Sequence, residues 1–165
     1  MAKETKSTQL QIRVTRTQKA AIQHAADRAG LDLSAYVLSR TLSAESVRFQ
    51  GIVAACANEE SSRFALAELN SLLTELTTEE LRVAVSTPPA VTLPPFLANY
   101  VAAMVESGCA RKSLAPPPWT RAVEPLAEPA FGTTLDGLRL YLLTHSPPPF
   151  RRRNLFIDAS LGAQI

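Results

Sequence analysis

The placement of proline constrains this 165-residue chain more than any other feature, because all 12 of its prolines lie at or after Pro88. Proline fixes φ and removes a backbone donor, so it is kept out of helix interiors and central strands. Residues 1–87 are therefore free to form long helices, whereas residues 88–165 are expected as short elements joined by extended connections. Apolar residues, at 46%, outnumber charged ones, at 19%, by enough to bury a core. The longest nearly apolar run, Leu97 to Val105, is about half of the ~20 residues of a bilayer span, and Asn99 interrupts it. No hydrophobic region follows Met1-Ala2-Lys3-Glu4-Thr5-Lys6, so no secretory signal is read there. Cys56 and Cys109 stand far apart without a CxxC, which excludes a disulfide scaffold and a zinc finger and fits a reducing cytoplasm.

Charge marks a second division. Residues 1–50 carry eight Lys/Arg against four Asp/Glu, residues 51–145 six against ten, and residues 146–165 three against one. A basic head, an acidic middle and a short basic tail imply separate tasks along the chain. With the proline boundary, the expected organisation is a domain over 1–50, a helical connector over 51–87 and a Pro-rich helical region over 88–165.

In the head, Gln9-Leu10-Gln11-Ile12-Arg13-Val14 alternates strictly, with Leu10, Ile12 and Val14 on one face and Gln9, Gln11 and Arg13 on the other. Period two is the pattern of a strand with one buried face. Thr15 is placed to cap a helix over about 16–29 carrying Ile22, Ala25, Ala26 and Ala29, and Gly30 sits where a C′ glycine stops a helix. Ser34 is expected to cap a second helix with Val37, Leu38 and Leu42 on one face, running on through Val47 and Phe49. One strand leaves its edge groups unpaired, and one strand with two helices makes a poor monomer core. Two chains solve both problems: their strands pair antiparallel, and Leu10, Ile12, Val14, Ile22, Val37, Leu38 and Leu42 build a shared core.

The run Leu10 to Thr15, then Ala25-Ala26, then Gly30-Leu31-Asp32-Leu33-Ser34-Ala35-Tyr36-Val37 resembles the ribbon-helix-helix family of bacterial DNA-binding proteins, nearest to the branch found in toxin–antitoxin operons. The resemblance covers about residues 7–45. It implies a two-stranded ribbon entering the major groove of duplex DNA. Gln9, Gln11 and Arg13 have the chemistry to read bases there, since glutamine pairs with adenine N6/N7 and arginine with guanine O6/N7. The start of the second helix, at Ser34, Ala35 and Tyr36, would hold a phosphate on its N–H groups, and Lys3 and Lys6 would add nonspecific phosphate contacts. The plain alternative for the outer face is a solvated strand surface, and for Ser34 a cap without a ligand.

Residues 46–87 read as helical, with an apolar stripe at Phe64, Leu66, Leu69, Leu72, Leu73 and Leu76, and Thr77-Thr78-Glu79-Glu80 starts a short helix through Val85. Further helices are expected over Phe96 to Ser107 and over Thr134 to His145, the latter with Leu135, Leu138, Leu142 and Leu143 recurring. Such stripes serve either a packed core or a groove for a partner. In the tail, Pro147-Pro148-Pro149-Phe150-Arg151-Arg152-Arg153-Asn154-Leu155-Phe156 mixes arginine and aromatic anchors among prolines. Trp119, Phe150, Arg151, Arg152, Arg153 and Phe156 are thus candidates for a protein-binding segment. The bland reading is a Pro-rich turn leading into a strand with solvated arginines.

An enzyme reading has no footing, because the chain holds no P-loop, GxGxxG, HExxH or G-x-S-x-G. His24 and His145 have no Cys or Asp at triad or metal spacing, and neither metal nor cofactor is expected. The fold class expected is mainly α: a dimeric N-terminal ribbon-helix-helix of one strand and two helices, then a mostly helical, Pro-rich C-terminal region. The resemblance implies a cytoplasmic antitoxin that neutralises a co-encoded toxin through its C-terminal region and represses its own operon by binding operator DNA. The alternatives are a stand-alone repressor with a sensing or oligomerising body, and a plasmid relaxosome accessory protein.

Overall fold

The computed structural model of the chain describes residues 11–41, 43–58 and 60–158, and its backbone is mainly helical. The chain divides into two compact units, Met1–Leu42 and Ser43–Ile165. In the first, Thr15 closes a capping box at the start of α1 (Arg16–Arg28): its hydroxyl accepts from the Gln18 N–H at 3.2 Å, and Gln18 Oε1 accepts from the Thr15 N–H at 2.9 Å. Gly30 ends the helix with φ at +67°, a conformation free of cost for glycine alone. Two bonds complete that stop: the Gly30 N–H donates to Asp27 O at 3.1 Å and the Leu31 N–H to Ala26 O at 3.1 Å, the pair of a Schellman motif.

The cap of α2 (Leu33–Thr41) differs from expectation. Asp32 holds it, accepting the Ala35 N–H on Oδ1 at 2.8 Å, and Ser34 lies inside the first turn. Asp32 stands one residue before the helix, within reach of the third amide, and a carboxylate is favoured at the positive end of a helix. The expected strand also takes another form. Residues 11–15 run without strand pairing, and Gln9 and Leu10 lie outside the described residues. A strand exists only by bonding to another, and the described part of this unit contains no second one. Accordingly Ile12 is 62% and Val14 44% exposed, Leu38 is exposed, and Ile22 and Val37 are half-buried. None of these five is a core residue of the single chain, and Leu42 lies outside the described residues.

The second unit begins at Ser43, whose hydroxyl accepts the Ser46 N–H at 3.0 Å and starts α3 (Ala44–Cys56). The second helix of the head therefore stops before Val47 and Phe49. Phe49 is fully buried in the core of the second unit, so the division expected at residue 50 falls between 42 and 43. Residues 51–87 are core rather than connector. There α4 (Ser62–Glu75) and α5 (Thr78–Ala84) pack on α3, and Leu69, Leu72, Leu73 and Leu81 are buried. Thr77 and Glu80 form the capping box of α5. Phe64 departs from the stripe because Ala65, Leu69, Leu72, Leu73 and Leu76 share one helical face, and Phe64 points about 100° away from it.

Then come α6 (Pro95–Arg111), α7 (Pro118–Ala122), α8 (Asp136–His145) and α9 (Pro148–Arg151). Three of these four begin on proline, whose missing N–H is one a first turn never uses and whose φ is already helical. Proline here starts helices as well as separating them, and α6 reaches 17 residues where short elements were expected. Gln50 on α3 secures one Pro-rich connection, accepting the Ala90 N–H at 2.8 Å and donating to Pro88 O at 3.0 Å. Of the leucine stripe on α8 only Leu142 is buried; Leu135, Leu138 and Leu143 are exposed. β1 (Ala130–Phe131) and β2 (Leu155–Phe156) pair in parallel, with Ala130 opposite Leu155 and Phe131 opposite Phe156. No described helix is long and apolar enough to cross a membrane.

Candidate nucleic-acid interface

The extended segment before α1 exposes both described members of the base-reading set, Gln11 and Arg13. Gln9, Lys3 and Lys6 lie outside the described residues. Arg13, Arg16 and Lys19 follow at three-residue steps from the extended segment into the first turns of α1, and all three are exposed. The first turn of α1 holds no acidic residue. Cations at a helix N-terminus oppose the helix dipole by about 0.3–1 kcal/mol. Helix stability does not select this arrangement, and a polyanion lying along it reverses the sign.

The start of α2 is less open to phosphate than its sequence suggests. The Ala35 N–H is already bonded to the Asp32 carboxylate, and the Tyr36 N–H donates to Asp32 O at 2.9 Å. A phosphate placed over Ser34, Ala35 and Tyr36 shares the helix end with a fixed negative charge. The Tyr36 ring instead carries the Arg40 guanidinium 5.5 Å from its centroid.

Among the described residues no group of three or more His, Cys, Asp or Glu could hold a metal ion. Burial pushes the Cys56 thiol up to about 11, and burial, with the Glu106 charge as a smaller cause, raises that of Cys109. Both are protonated at neutral pH and neither has the character of a nucleophile.

The tail is where the structure corrects the sequence reading most. Phe150, Phe156 and Arg153 are buried in the core of the second unit, so they do not form a partner-facing surface. Trp119 is half-buried and donates Nε1–H to Val85 O at 2.8 Å. Only Arg151 and Arg152 are exposed. Arg153, 5% exposed, donates through Nη2 to Glu106 Oε1 and Thr120 O, both at 2.6 Å, and through Nη1 to Asn99 Oδ1 and Val123 O, both at 3.2 Å. Asn99, also buried, donates Nδ2–H to Pro95 O at 3.0 Å and Glu124 O at 2.9 Å. Together these side chains tie the segment from Thr120 to Glu124 onto α6. A buried guanidinium needs a carboxylate and acceptors for its donors: α6 supplies Glu106 and Asn99, and the segment after α6 supplies the Thr120 and Val123 carbonyls.

Sequence reasoning missed Asn99 and Glu106. Their signal was present: an amide and a carboxylate seven residues apart, hence on one face of a mostly apolar helix.

A family model described as NikA-like, mobilization protein NikA, matches residues 4–77, fewer than half of the 165. The match takes in the basic first unit and runs through α3 and α4. It is to a ribbon-helix-helix family and lends nothing to the toxin–antitoxin branch. No curated protein and no solved structure matches the chain.

Proposed function

We propose that this protein binds duplex DNA as a dimer through a ribbon formed by residues 9–14, and acts as a DNA-binding accessory protein in plasmid mobilisation, as part of a relaxosome. The observation that carries this reading is the similarity to a mobilization-protein family over residues 4–77, which include the exposed basic segment. The exposure of Ile12 and Val14 supports the dimer, since apolar side chains alternating with Gln11 and Arg13 call for a covering partner. Arg16 and Lys19 supply phosphate contacts, with Gln9, Gln11 and Arg13 reading bases. A cognate toxin has no comparable support, and three of the tail residues assigned to it are buried.

The DNA reading is tested with a duplex selected from a random library by the full-length protein. Gln11→Ala and Arg13→Ala are expected to cost about 1–3 kcal/mol on the selected site and little on random duplex. Lys6→Ala should weaken binding to both alike and lower the salt slope by about 1. Equal losses on both duplexes for all three variants exclude base reading by the ribbon. The mobilisation reading is tested by conjugation in the native host, where deleting residues 1–42 should abolish transfer. Normal transfer with derepression of the adjoining promoter assigns the protein to repression instead.

A second expectation concerns Asp32. Asparagine caps a helix as well as aspartate does, so Asp32→Asn keeps α2 and removes the negative charge. If α2 rests on a phosphate, affinity for any duplex rises several-fold at low salt in a fluorescence-anisotropy titration. No change places the helix end away from the DNA backbone.

A further inference from the structure

We infer that the second unit carries a binding cleft for a small organic anion, one with a carboxylate or phosphate head and an apolar body. The cleft, about 410 Å3 in volume, has Arg121, Arg152, Arg153 and Glu106 in its lining together with the rings of Pro116 and Pro149. That volume is in the range of small-molecule sites, which are mostly apolar with a few convergent polar groups.

Its charge is unbalanced. Glu106 is engaged by Arg153 at 2.6 Å, which leaves the cations of Arg121 and Arg152. Both are exposed, and among the described residues neither forms an ion pair. A guanidinium is a planar fork of donors matched to carboxylate and phosphate oxygens, and two of them suit an oxyanion held from both sides. A third arginine, Arg153, is among the residues that line the same cleft. The Nε–H of Arg153 is buried without an acceptor among the described residues, a costly state for a donor on a charged group. Proline walls are rigid and are ordered before any ligand arrives, which favours an apolar body beside the charged head. This inference concerns the second unit alone and does not depend on DNA binding by the first.

The test uses the full chain with n-hexyl phosphate, hexanoate and, as the neutral control, hexanol. Binding is read from the thermal midpoint, which a ligand of the folded state raises, and from fluorescence of Trp119, the single tryptophan, two residues from Arg121 on α7. At least one anionic probe should saturate the protein while hexanol does not, and the tighter of the two identifies the head as phosphate or carboxylate. Arg121→Gln/Arg152→Gln should weaken that probe tenfold or more, with the unliganded midpoint unchanged; if the double variant does not fold, Arg152→Gln alone carries the same reading. The inference is overturned if neither anion binds, if hexanol binds equally, or if the variant binds as the parent does. It is equally overturned if the variant leaves the probes unaffected but loses DNA affinity with a flatter salt dependence, which assigns these arginines to a nucleic-acid backbone.

Discussion

Arg153→Met is expected to destabilise the second unit by about 3–5 kcal/mol, the usual range for removing one partner of a buried ion pair. The substitution strands a carboxylate, an amide oxygen and two carbonyls at once: Glu106, Asn99, Thr120 and Val123 all accept from this one guanidinium. Methionine fills much of the volume but donates nothing. Arg151→Met and Arg152→Met, at exposed neighbours in the same run, should each stay within about 0.5 kcal/mol. Urea unfolding read by Trp119 fluorescence separates the three variants. Adding Glu106→Gln to Arg153→Met should recover part of the loss, because it removes the uncompensated charge. A loss below about 1 kcal/mol for Arg153→Met would mean that packing, not the guanidinium, holds the segment from Thr120 to Glu124 against α6.

Ile12→Asp is expected to abolish both dimerisation and DNA binding. In a single chain this side chain is 62% exposed, so an isolated unit should tolerate the change within about 0.5 kcal/mol. In a paired ribbon the same position is covered, and a buried carboxylate without a partner costs several kcal/mol. A deficit of about 3 kcal/mol already lowers affinity roughly a hundredfold. Light scattering should find a monomer, and anisotropy should find no specific binding at concentrations where Ile12→Val binds normally. A dimeric, DNA-competent Ile12→Asp protein would remove the ribbon from the proposed function.

The two predictions fall on opposite sides of what a sequence can disclose. Thr15 as the cap of α1, Gly30 as its stop and Thr77-Thr78-Glu79-Glu80 as the start of α5 were all legible in the sequence, as was the leucine face of α4. Each of these features closes within about four residues or repeats at the helical period, so its partners lie in the same stretch of chain. Even here a local competitor could win: Asp32 displaced Ser34 as the cap of α2 because it stands in better register with the Ala35 amide. The candidate DNA-reading residues were legible for the same reason, as an alternation over six consecutive positions.

Which arginine of the tail would be buried was not legible. Arg151, Arg152 and Arg153 are chemically identical, and what distinguishes the third is an acceptor 47 residues away on Glu106 and another 54 away on Asn99. The leucines of α8 make the converse case: their spacing describes a face, but only a neighbouring element covers a face, and Leu142 alone has one. The prolines signalled interruption in the sequence, and the fold used three of their clusters to begin helices. The sequence by itself determined where the longer helices lie, several of their ends and the chemistry offered at the head. The tertiary structure decided which side chains are covered and which buried charges are paired, because burial and pairing depend on groups that only folding brings together.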